Sequence, residues 1–227
     1  MISRPILKLL RYFIFISVVG SVIHLYLLKK NYLFTSRLVQ KVGESNKGLH
    51  PNQSLKNIHA EFIRKQAPHI IREQIWVPLH AGGLQVKFVL LHASLTEYVG
   101  IIGTPMVSTG YGGFHWMNQT CTILTGNVEV SRDNQFLSRQ DFKPGETLKF
   151  KVFESAALRF NDDSWMLCYG RGFVPLSAPY VYLNALTSFD LPSMFRLSYV
   201  YLQALAMEAR VCAYETWEMV SKKFGLR

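Results

Sequence analysis

The sequence predicts an α+β protein with an N-terminal membrane-spanning helix, a β-barrel or sandwich in the middle and a pair of helices at the end. Three observations support this prediction. Residues 12–28 carry no charge, short alternating runs with turns begin after Gly110, and helical spacing returns after Pro175. We divide the chain into an anchor (1–30), a helical connector (31–75), a β domain (76–175) and a C-terminal helix pair (176–227).

The composition excludes several classes of protein. Of the 227 residues, 49% are hydrophobic and 18% charged, which is not a disordered composition, and three cysteines are too few for a disulfide scaffold. Residues 1–75 hold 12 Lys and Arg against 3 Asp and Glu, whereas residues 76–227 hold 13 against 12. A nucleic-acid-binding protein carries its basic patch on the folded body, so this distribution argues against nucleic acid as a partner.

The uncharged run YFIFISVVGSVIHLYLL (12–28) has basic residues on both sides. A helix of roughly 17–20 residues reaches across the hydrocarbon core of a bilayer. The alternative is a cleaved signal peptide, but no small-residue cleavage pattern follows the run, and Tyr26, Leu27 and Leu28 are bulky. We therefore predict an uncleaved single-pass anchor, and leave its orientation open because both flanks are basic.

The connector is predicted to contain two helices, one around residues 33–42 and one over 55–64. The mostly apolar run 86–102, bounded by Gly82-Gly83 and Gly103, is interpreted as a buried helix or as a helix followed by a strand. Strands are expected within 121–130, 147–153 and 164–174.

Two C-terminal helices are predicted, one at 178–190 and one from Pro192 toward Lys222. Both are rich in aromatic and aliphatic residues. Such a pair can cover a core or lie on a membrane surface, and the spacing does not choose between these alternatives.

Five blocks of the sequence resemble one family. They are HAGG (80–83), LLHASLTEYVGIIGT (90–104), TILTG (122–126), KPGET (143–147) and SWMLCYGRGFVP (164–175). Their order and spacing are similar to those of the family that joins the fungal sterol C-8 isomerase with the sigma non-opioid receptor, over essentially the whole chain.

The resemblance implies a protein of the endoplasmic reticulum membrane with one N-terminal transmembrane helix. It also implies a cupin-like β-barrel around an elongated apolar pocket, two C-terminal membrane-associated helices and assembly as a homotrimer. The expected ligand or substrate is an apolar small molecule, and neither a cofactor nor a metal is expected.

The sequence departs from the family at the positions where the resemblance predicts pocket carboxylates. The position before the tyrosine of the YGRG motif is Cys168, and the position before TILTG is Cys121. The acidic positions of the isomerase branch are Gln119 and Asn118. Moving a sterol double bond requires an acid, a base and a negative charge near the cation, and a thiol or an amide supplies these poorly at neutral pH. We therefore expect neither sterol C-8 isomerisation nor tight binding of cationic amphiphiles.

Three interpretations of Cys121 and Cys168 stay open. In a family-like barrel the two residues face each other across the interior, where they could be free buried thiols, a disulfide in an oxidising compartment, or a catalytic or covalent site.

Glu97 is the carboxylate that remains within an otherwise apolar family motif. One interpretation is a structural carboxylate, satisfied by backbone amides, that fixes the junction between helix and barrel. The other is a general acid made effective by burial and assisted by Tyr98 or His92. The pocket of a family-like barrel would be lined or covered by Trp76, Trp116, Phe150, Phe160, Trp165, Met166 and Tyr169, together with Cys121, Cys168, Asn118 and Gln119.

Two functions are consistent with these residues. The first is a divergent isomerase or cyclase that moves protons on an apolar polyene, terpenoid or sterol-like substrate, with Glu97, Tyr98 and His92 as catalytic residues. Retained aromatic walls with changed polar groups favour it. The alternative is a non-catalytic ligand-binding or chaperone-like membrane protein of the receptor type.

Overall fold

The computed structural model describes residues 4–133 and 138–223, and the chain divides into two compact units between Leu33 and Phe34. The first unit contains α1 (Arg4–Lys29), a continuous helix of 26 residues. Its segment Ile6–Lys29 has a mean hydropathy of 2.0, and none of its residues is buried. Within the described ranges, this is the one helix long and apolar enough to cross a membrane.

The second unit combines two antiparallel sheets with four helices. Its helices are α2 (Ser36–Ser45), α3 (Pro51–Gln66), α4 (Ala178–Thr187) and α5 (Leu191–Lys223). Its strands are β1 (Trp76–Ala81), β2 (Leu84–Ala93), β3 (Glu97–Thr104), β4 (Ser108–Tyr111), β5 (Met117–Thr125), β6 (Val128–Arg132), β7 (Arg139–Phe142), β8 (Thr147–Phe150), β9 (Ala156–Phe160) and β10 (Ser164–Gly172). The α+β class predicted from the sequence is confirmed.

Strand order places the family-like blocks side by side. The larger sheet runs β1-β2-β3-β10-β5-β8 and the smaller one β4-β9-β6-β7. The inner faces of both sheets form one apolar core that includes Ile123, Leu148, Phe160 and Met166. Because β10 lies between β3 and β5, the glutamate of the HASLTEY motif and both cysteines lie on three adjacent strands.

The prediction of a helix within residues 86–102 is wrong. This run forms the antiparallel hairpin β2–β3, with a register shift between Leu90 and His92. Both faces of β3 are largely buried, so its sequence lacks the alternation of a half-exposed strand and reads as a continuous apolar run.

Helices α2 and α3 cover the outer face of the larger sheet. The side chain of Thr35 caps α2 by accepting a hydrogen bond from the Leu38 amide. Helix α2 packs on β5 and β10, and Gly43 permits a close approach, since a Cβ at that position would lie 2.8 Å from Cβ of Thr122. Phe34 and Phe62 fill the layer beneath the helices with their rings 5.4 Å apart.

Helices α4 and α5 cover the β1–β2 side of the barrel. The hydroxyl of Tyr180 on α4 donates to the carbonyl of Tyr111, and the Gly82 amide donates to the Asn184 side chain at 3.0 Å. Helix α5 packs Val200 and Ala204 into an apolar cluster with residues of β1 and β2. The helix pair therefore closes over one end of the space between the sheets.

Candidate ligand cavity

A cavity of about 260 Å³ lies between the two sheets and the helix pair. Its size is close to the lower end of small-molecule sites, roughly 300–1,000 Å³. Most of its wall is aliphatic or aromatic. Residues from each bounding element line it, among them Leu79, Val86, Ile102, Leu158, Val181 and Leu197.

Cys121 and Cys168 form a disulfide in the wall of this cavity. They are directly opposite one another on the neighbouring strands β5 and β10, with 4.1 Å between their Cα atoms. The expectation that they face each other across the interior is therefore wrong, because antiparallel pairing makes them cross-strand neighbours on one face. Of the three interpretations left open by the sequence, the structure contains the bridge.

Two neutral polar side chains of the larger sheet also line the cavity. Gln119 lies two residues before Cys121 on the same face of β5, and Tyr98 lies on β3. Within the described part of the chain, neither the phenol oxygen of Tyr98 nor the amide of Gln119 has a hydrogen-bond partner. Burial raises the pKa of Tyr98, so its hydroxyl stays protonated and can donate or accept one hydrogen bond.

The space for the Tyr98 ring is provided by Gly170 of the YGRG motif. These two residues are partners in the β3–β10 register. A Cβ at position 170 would lie 2.2 Å from Cε1 of Tyr98 and 2.9 Å from the sulfur of Met117. The glycine therefore lets the tyrosine ring pack directly against β10 within the cavity wall.

Glu97 does not line the cavity, although its sequence neighbour Tyr98 does. Successive residues of a strand point to opposite faces. The Glu97 carboxylate lies on the outer face, where its Oε2 accepts from the Phe34 amide at 3.3 Å and lies 3.2 Å from the hydroxyl of Tyr169. That hydroxyl donates to the Phe34 carbonyl at 2.7 Å. The geometry is that of a structural carboxylate at the start of α2 and lacks the position that an acid acting on a cavity ligand needs.

His92 is also absent from the cavity wall. It is fully buried, its Nδ1 lies 2.8 Å from the carbonyl of His69, and its ring packs 5.2 Å from that of Phe34. The structure therefore separates Tyr98 from both predicted partners, and the three residues do not form one catalytic group facing the cavity.

The predicted lining residues divide in the same way. Phe150, Phe160 and Met166 line the cavity with Tyr98, Gln119 and the two cysteines, whereas Asn118, Trp116, Trp165 and Tyr169 do not. Trp116 stacks on Phe153, and Trp165 packs edge-to-face against Trp76 at 5.1 Å. These aromatic residues pack outside the cavity.

Glu154 and His115 of the cavity wall were not singled out from the sequence, and the polar residues Ser155, Ser177, Tyr180, Tyr182 and Tyr201 also line it. Glu154 forms an ion pair with Arg132 and accepts from the Lys151 amide at 2.8 Å. The hydrogen bond from this amide, aided by the Arg132 charge, lowers the pKa of Glu154. The sequence does not reveal this ion pair, because Glu154 and Arg132 are 22 residues apart along the chain.

His115 is the second of these groups. Its Nε2–H donates to the Gly112 carbonyl, since that oxygen can only accept, and its Nδ1 accepts from the Ser177 hydroxyl; both distances are 2.9 Å. Burial lowers the pKa of His115. Both nitrogens are satisfied in the neutral ring.

Besides the disulfide, the wall offers a ligand the phenol of Tyr98 and the amide of Gln119. The Glu154 carboxylate and the hydroxyls of Tyr180, Tyr182 and Tyr201 line the cavity too, but each is already bonded within the protein. Among the described residues, no group of three or more His, Cys, Asp or Glu side chains is placed to hold a metal ion. The arrangement can accept an apolar molecule and one or two neutral hydrogen-bonding groups.

Comparisons with known proteins agree on one family. Residues 10–211 match the family model described as ERG2 and Sigma1 receptor like protein. The chain is 30% identical over 209 residues to the sigma non-opioid intracellular receptor 1 of Danio rerio, covering 91% of this chain and 94% of that protein. It is 27% identical over 175 residues to the erg2 homolog of Dictyostelium discoideum, covering 75% of each.

Solved structures give weaker similarities. KdgF from Halomonas sp. matches with a TM-score of 0.38 and 13% identity, over 46% of this chain and 94% of that one. An RmlC-like cupin from Shewanella frigidimarina matches with a TM-score of 0.37 and 14% identity, over 44% of this chain and 85% of that one. By the family model, which spans most of its length, and by its relatives, this chain belongs to the ERG2 and sigma-1 receptor family.

Proposed function

We propose that this protein is a membrane-anchored, receptor-like binding protein for a neutral apolar small molecule. The observation that carries the proposal is the disulfide Cys121–Cys168 in the cavity wall. It occupies the positions where the family resemblance leads us to expect carboxylates. Glu154, the one carboxylate among the described lining residues, is already paired with Arg132.

The physical argument concerns the charge of the ligand. Moving an ammonium group from water into an apolar cavity costs several kcal/mol unless an anion receives it. A neutral molecule avoids this cost, and Tyr98 and Gln119 can bind one hydroxyl or carbonyl oxygen. The apolar wall then supplies most of the affinity, at about 25 cal/mol per Å² of apolar surface removed from water.

The proposal includes a location in the endoplasmic reticulum membrane with α1 as a single pass, and assembly as a homotrimer, as the family implies. Exposed apolar side chains on the helix pair support contact with a bilayer. They include Leu183, Phe195, Leu202 and Trp217, and Phe189 in the connection between the two helices is 86% exposed. A bilayer is also where an apolar ligand accumulates.

The test compares two ligands that differ only in charge. We would measure equilibrium binding of cholesterol and of its 3-amino analogue to the full-length protein in nanodiscs. Preferential binding of the alcohol is expected, because the cavity holds no free counter-charge. Equal or tighter binding of the amine would overturn the proposal.

A charge placed in the wall should reverse this preference. The variant Cys168→Glu opens the bridge and introduces a carboxylate, whereas Cys168→Gln opens it without charge and serves as the matched control. Relative to Cys168→Gln, Cys168→Glu should bind the amine about tenfold more tightly, through one charge-assisted hydrogen bond of about 1.5 kcal/mol. No difference between the two variants would mean that position 168 does not face the ligand.

The second candidate is the isomerase or cyclase acting on a polyene, terpenoid or sterol-like substrate. Tyr98 favours it, because its hydroxyl faces the cavity and can still donate a proton in a hydrogen bond. Glu154 is a weaker candidate acid, because its lowered pKa keeps it ionised. Conversion of candidate polyenes by microsomes containing the protein, lost in Tyr98→Phe, would support this function, and we expect no rescue of a yeast strain that lacks sterol C-8 isomerase.

A further inference from the structure

The Cys121–Cys168 bridge is closed off from the outer side of the protein. The two residues are 2% and 3% exposed, and their strands are hydrogen-bonded neighbours, so the backbone of β5 and β10 forms a continuous wall behind the sulfurs. Helices α2 and α3 cover that wall. At Gly43 the helix lies so close to Thr122 that no additional Cβ fits between them.

On its inner side the bridge borders the cavity. Met166 is two residues before Cys168 on the same face of β10, and Leu148 is the β8 partner of Cys121. Phe150 and Leu158 are further apolar residues near this part of the core, and Phe150 also lines the cavity. A molecule that reaches the sulfurs in the folded protein therefore passes through apolar surroundings.

We propose that this bridge is a thiol–disulfide exchange site for apolar thiols that enter through the cavity. The placement of both sulfurs in the cavity wall, with a covered sheet behind them, carries the inference. It shares with the proposed function only the entry of an apolar molecule into the cavity. It adds a covalent activity that binding alone does not require.

The exchange has two steps. In the first, an apolar thiol that has entered the cavity as neutral R–SH gives up its proton as its sulfur attacks one Sγ of the bridge and forms a mixed disulfide. The Cys121–Cys168 bond breaks, and the departing Sγ keeps the electron pair of that bond and takes up the proton that the incoming thiol released. In the second, another thiol attacks the mixed disulfide. It releases the second cysteine as a thiol and leaves as the symmetrical disulfide of the two incoming molecules. Two thiols are oxidised and one protein disulfide is reduced.

Selection between thiols follows from desolvation. A charged thiol must leave water to enter the cavity, whereas an alkyl thiol gains about 0.8 kcal/mol for each CH₂ that is buried. Rates of exchange depend on access as well as on the reactivity of the attacking sulfur. The apolar wall should therefore exclude the charged thiols of aqueous compartments and admit those that dissolve in a bilayer.

The experiment uses the full-length Cys212→Ser variant in nanodiscs, which removes the exposed free cysteine. Octanethiol and 2-mercaptoethanesulfonate are compared, and each rate is divided by the rate of the same thiol on a small soluble disulfide under the same conditions. Released protein thiols are alkylated and assigned by peptide mass spectrometry. After this normalisation, octanethiol should open the bridge about tenfold faster or more.

The other outcomes overturn the proposal. Equal normalised rates, or a faster reaction with the sulfonate, would show that the bridge is reached from water. A second such outcome is that the folded protein reacts with neither thiol, although the same thiols open the bridge and release both cysteines once the protein is unfolded. That result would show that the cavity does not lead to the bridge. Two alkylated cysteines before any treatment would show that no bridge forms. Exchange without cholesterol binding would contradict the proposed function alone, and binding without exchange would contradict this inference alone.

Discussion

At the scale of single residues, His115 couples the stability of the cavity wall to pH. Burial lowers its pKa, so the unfolded chain binds a proton at a higher pH than the folded protein does. The contribution of His115 to the free energy of unfolding is therefore complete above the ordinary imidazole pKa, about 6.5. It falls as the pH drops below that value.

The variant His115→Asn should lose this pH dependence. Urea unfolding midpoints of both proteins, measured between pH 8 and pH 5, should differ by a constant amount at the alkaline end and converge toward the acidic end. The constant difference above neutrality is the internal control, since it reports the lost hydrogen bonds alone. Parallel curves over the whole range would contradict the assignment.

Gly170 determines where the Tyr98 ring can lie. In Gly170→Ala, the new methyl group would overlap the tyrosine ring at 2.2 Å, and we expect a loss of about 1–3 kcal/mol in the free energy of unfolding. Gly112→Ala is the matched control, because a Cβ there would be 3.4 Å from its nearest neighbour, Leu158. Equal stability of the two variants would show that the ring has room to move aside.

At the scale of elements, the first residues of the α2 region are held on the outer face of the larger sheet by buried polar contacts. The Glu97 carboxylate and the Tyr169 hydroxyl both bind the backbone of Phe34, one at its amide and the other at its carbonyl. These contacts join β3 and β10 to the segment that leads into α2. They give Glu97 a structural role that its burial within an apolar motif only suggested.

We predict that Glu97→Ala lowers the stability without changing ligand affinity. Removing the acceptor leaves the buried Phe34 amide unpaired, which costs about 1–3 kcal/mol. Tyr169→Phe should act in the same direction, and the effect of the double variant should be smaller than the sum, because both residues bind the same segment. Denaturant unfolding and cholesterol binding are the two measurements. A stable Glu97→Ala protein that no longer binds cholesterol would contradict the structural role and show that Glu97 contributes to the ligand site.

The hairpin β2–β3 shows why one element was assigned wrongly. Leu90, Leu91 and Ala93 on β2 and Val99 and Ile101 on β3 are all buried. Sequence periodicity identifies a strand only when one of its faces is exposed, and here both faces of the hairpin are largely buried, with α5 packed on β2. The predicted run 121–130 contains the end of β5 and the start of β6, with a turn at Gly126 and Asn127 between them, whereas the run 164–174 contains the single strand β10.

At the scale of the whole molecule, the long α5 helix combines a buried and an exposed apolar surface. Val200 and Ala204 contact the barrel, whereas Trp217 is 65% exposed. Aromatic residues at such positions are typical of helices that lie at a membrane surface. The fluorescence of Trp217 can therefore test whether the helix pair lies on a membrane surface.

In vesicles with brominated lipids, tryptophan fluorescence of the full-length protein should be quenched, and Trp217→Phe should lose most of that quenching. Trp165→Phe is the control, since Trp165 is 6% exposed and packs against Trp76. Undiminished quenching in Trp217→Phe would place the end of α5 away from the bilayer.

The sequence by itself determined the apolar N-terminal helix, the helices that precede and follow the β domain, and the presence of two cysteines at the positions where the resemblance predicts carboxylates. These depend on composition and local pattern. Tertiary structure alone decided that Cys121 and Cys168 are cross-strand neighbours, that Tyr98 enters the cavity and that Glu97 does not. A strand places alternate residues on opposite faces, and which face becomes the cavity depends on pairing register and on the helices that cover the other side.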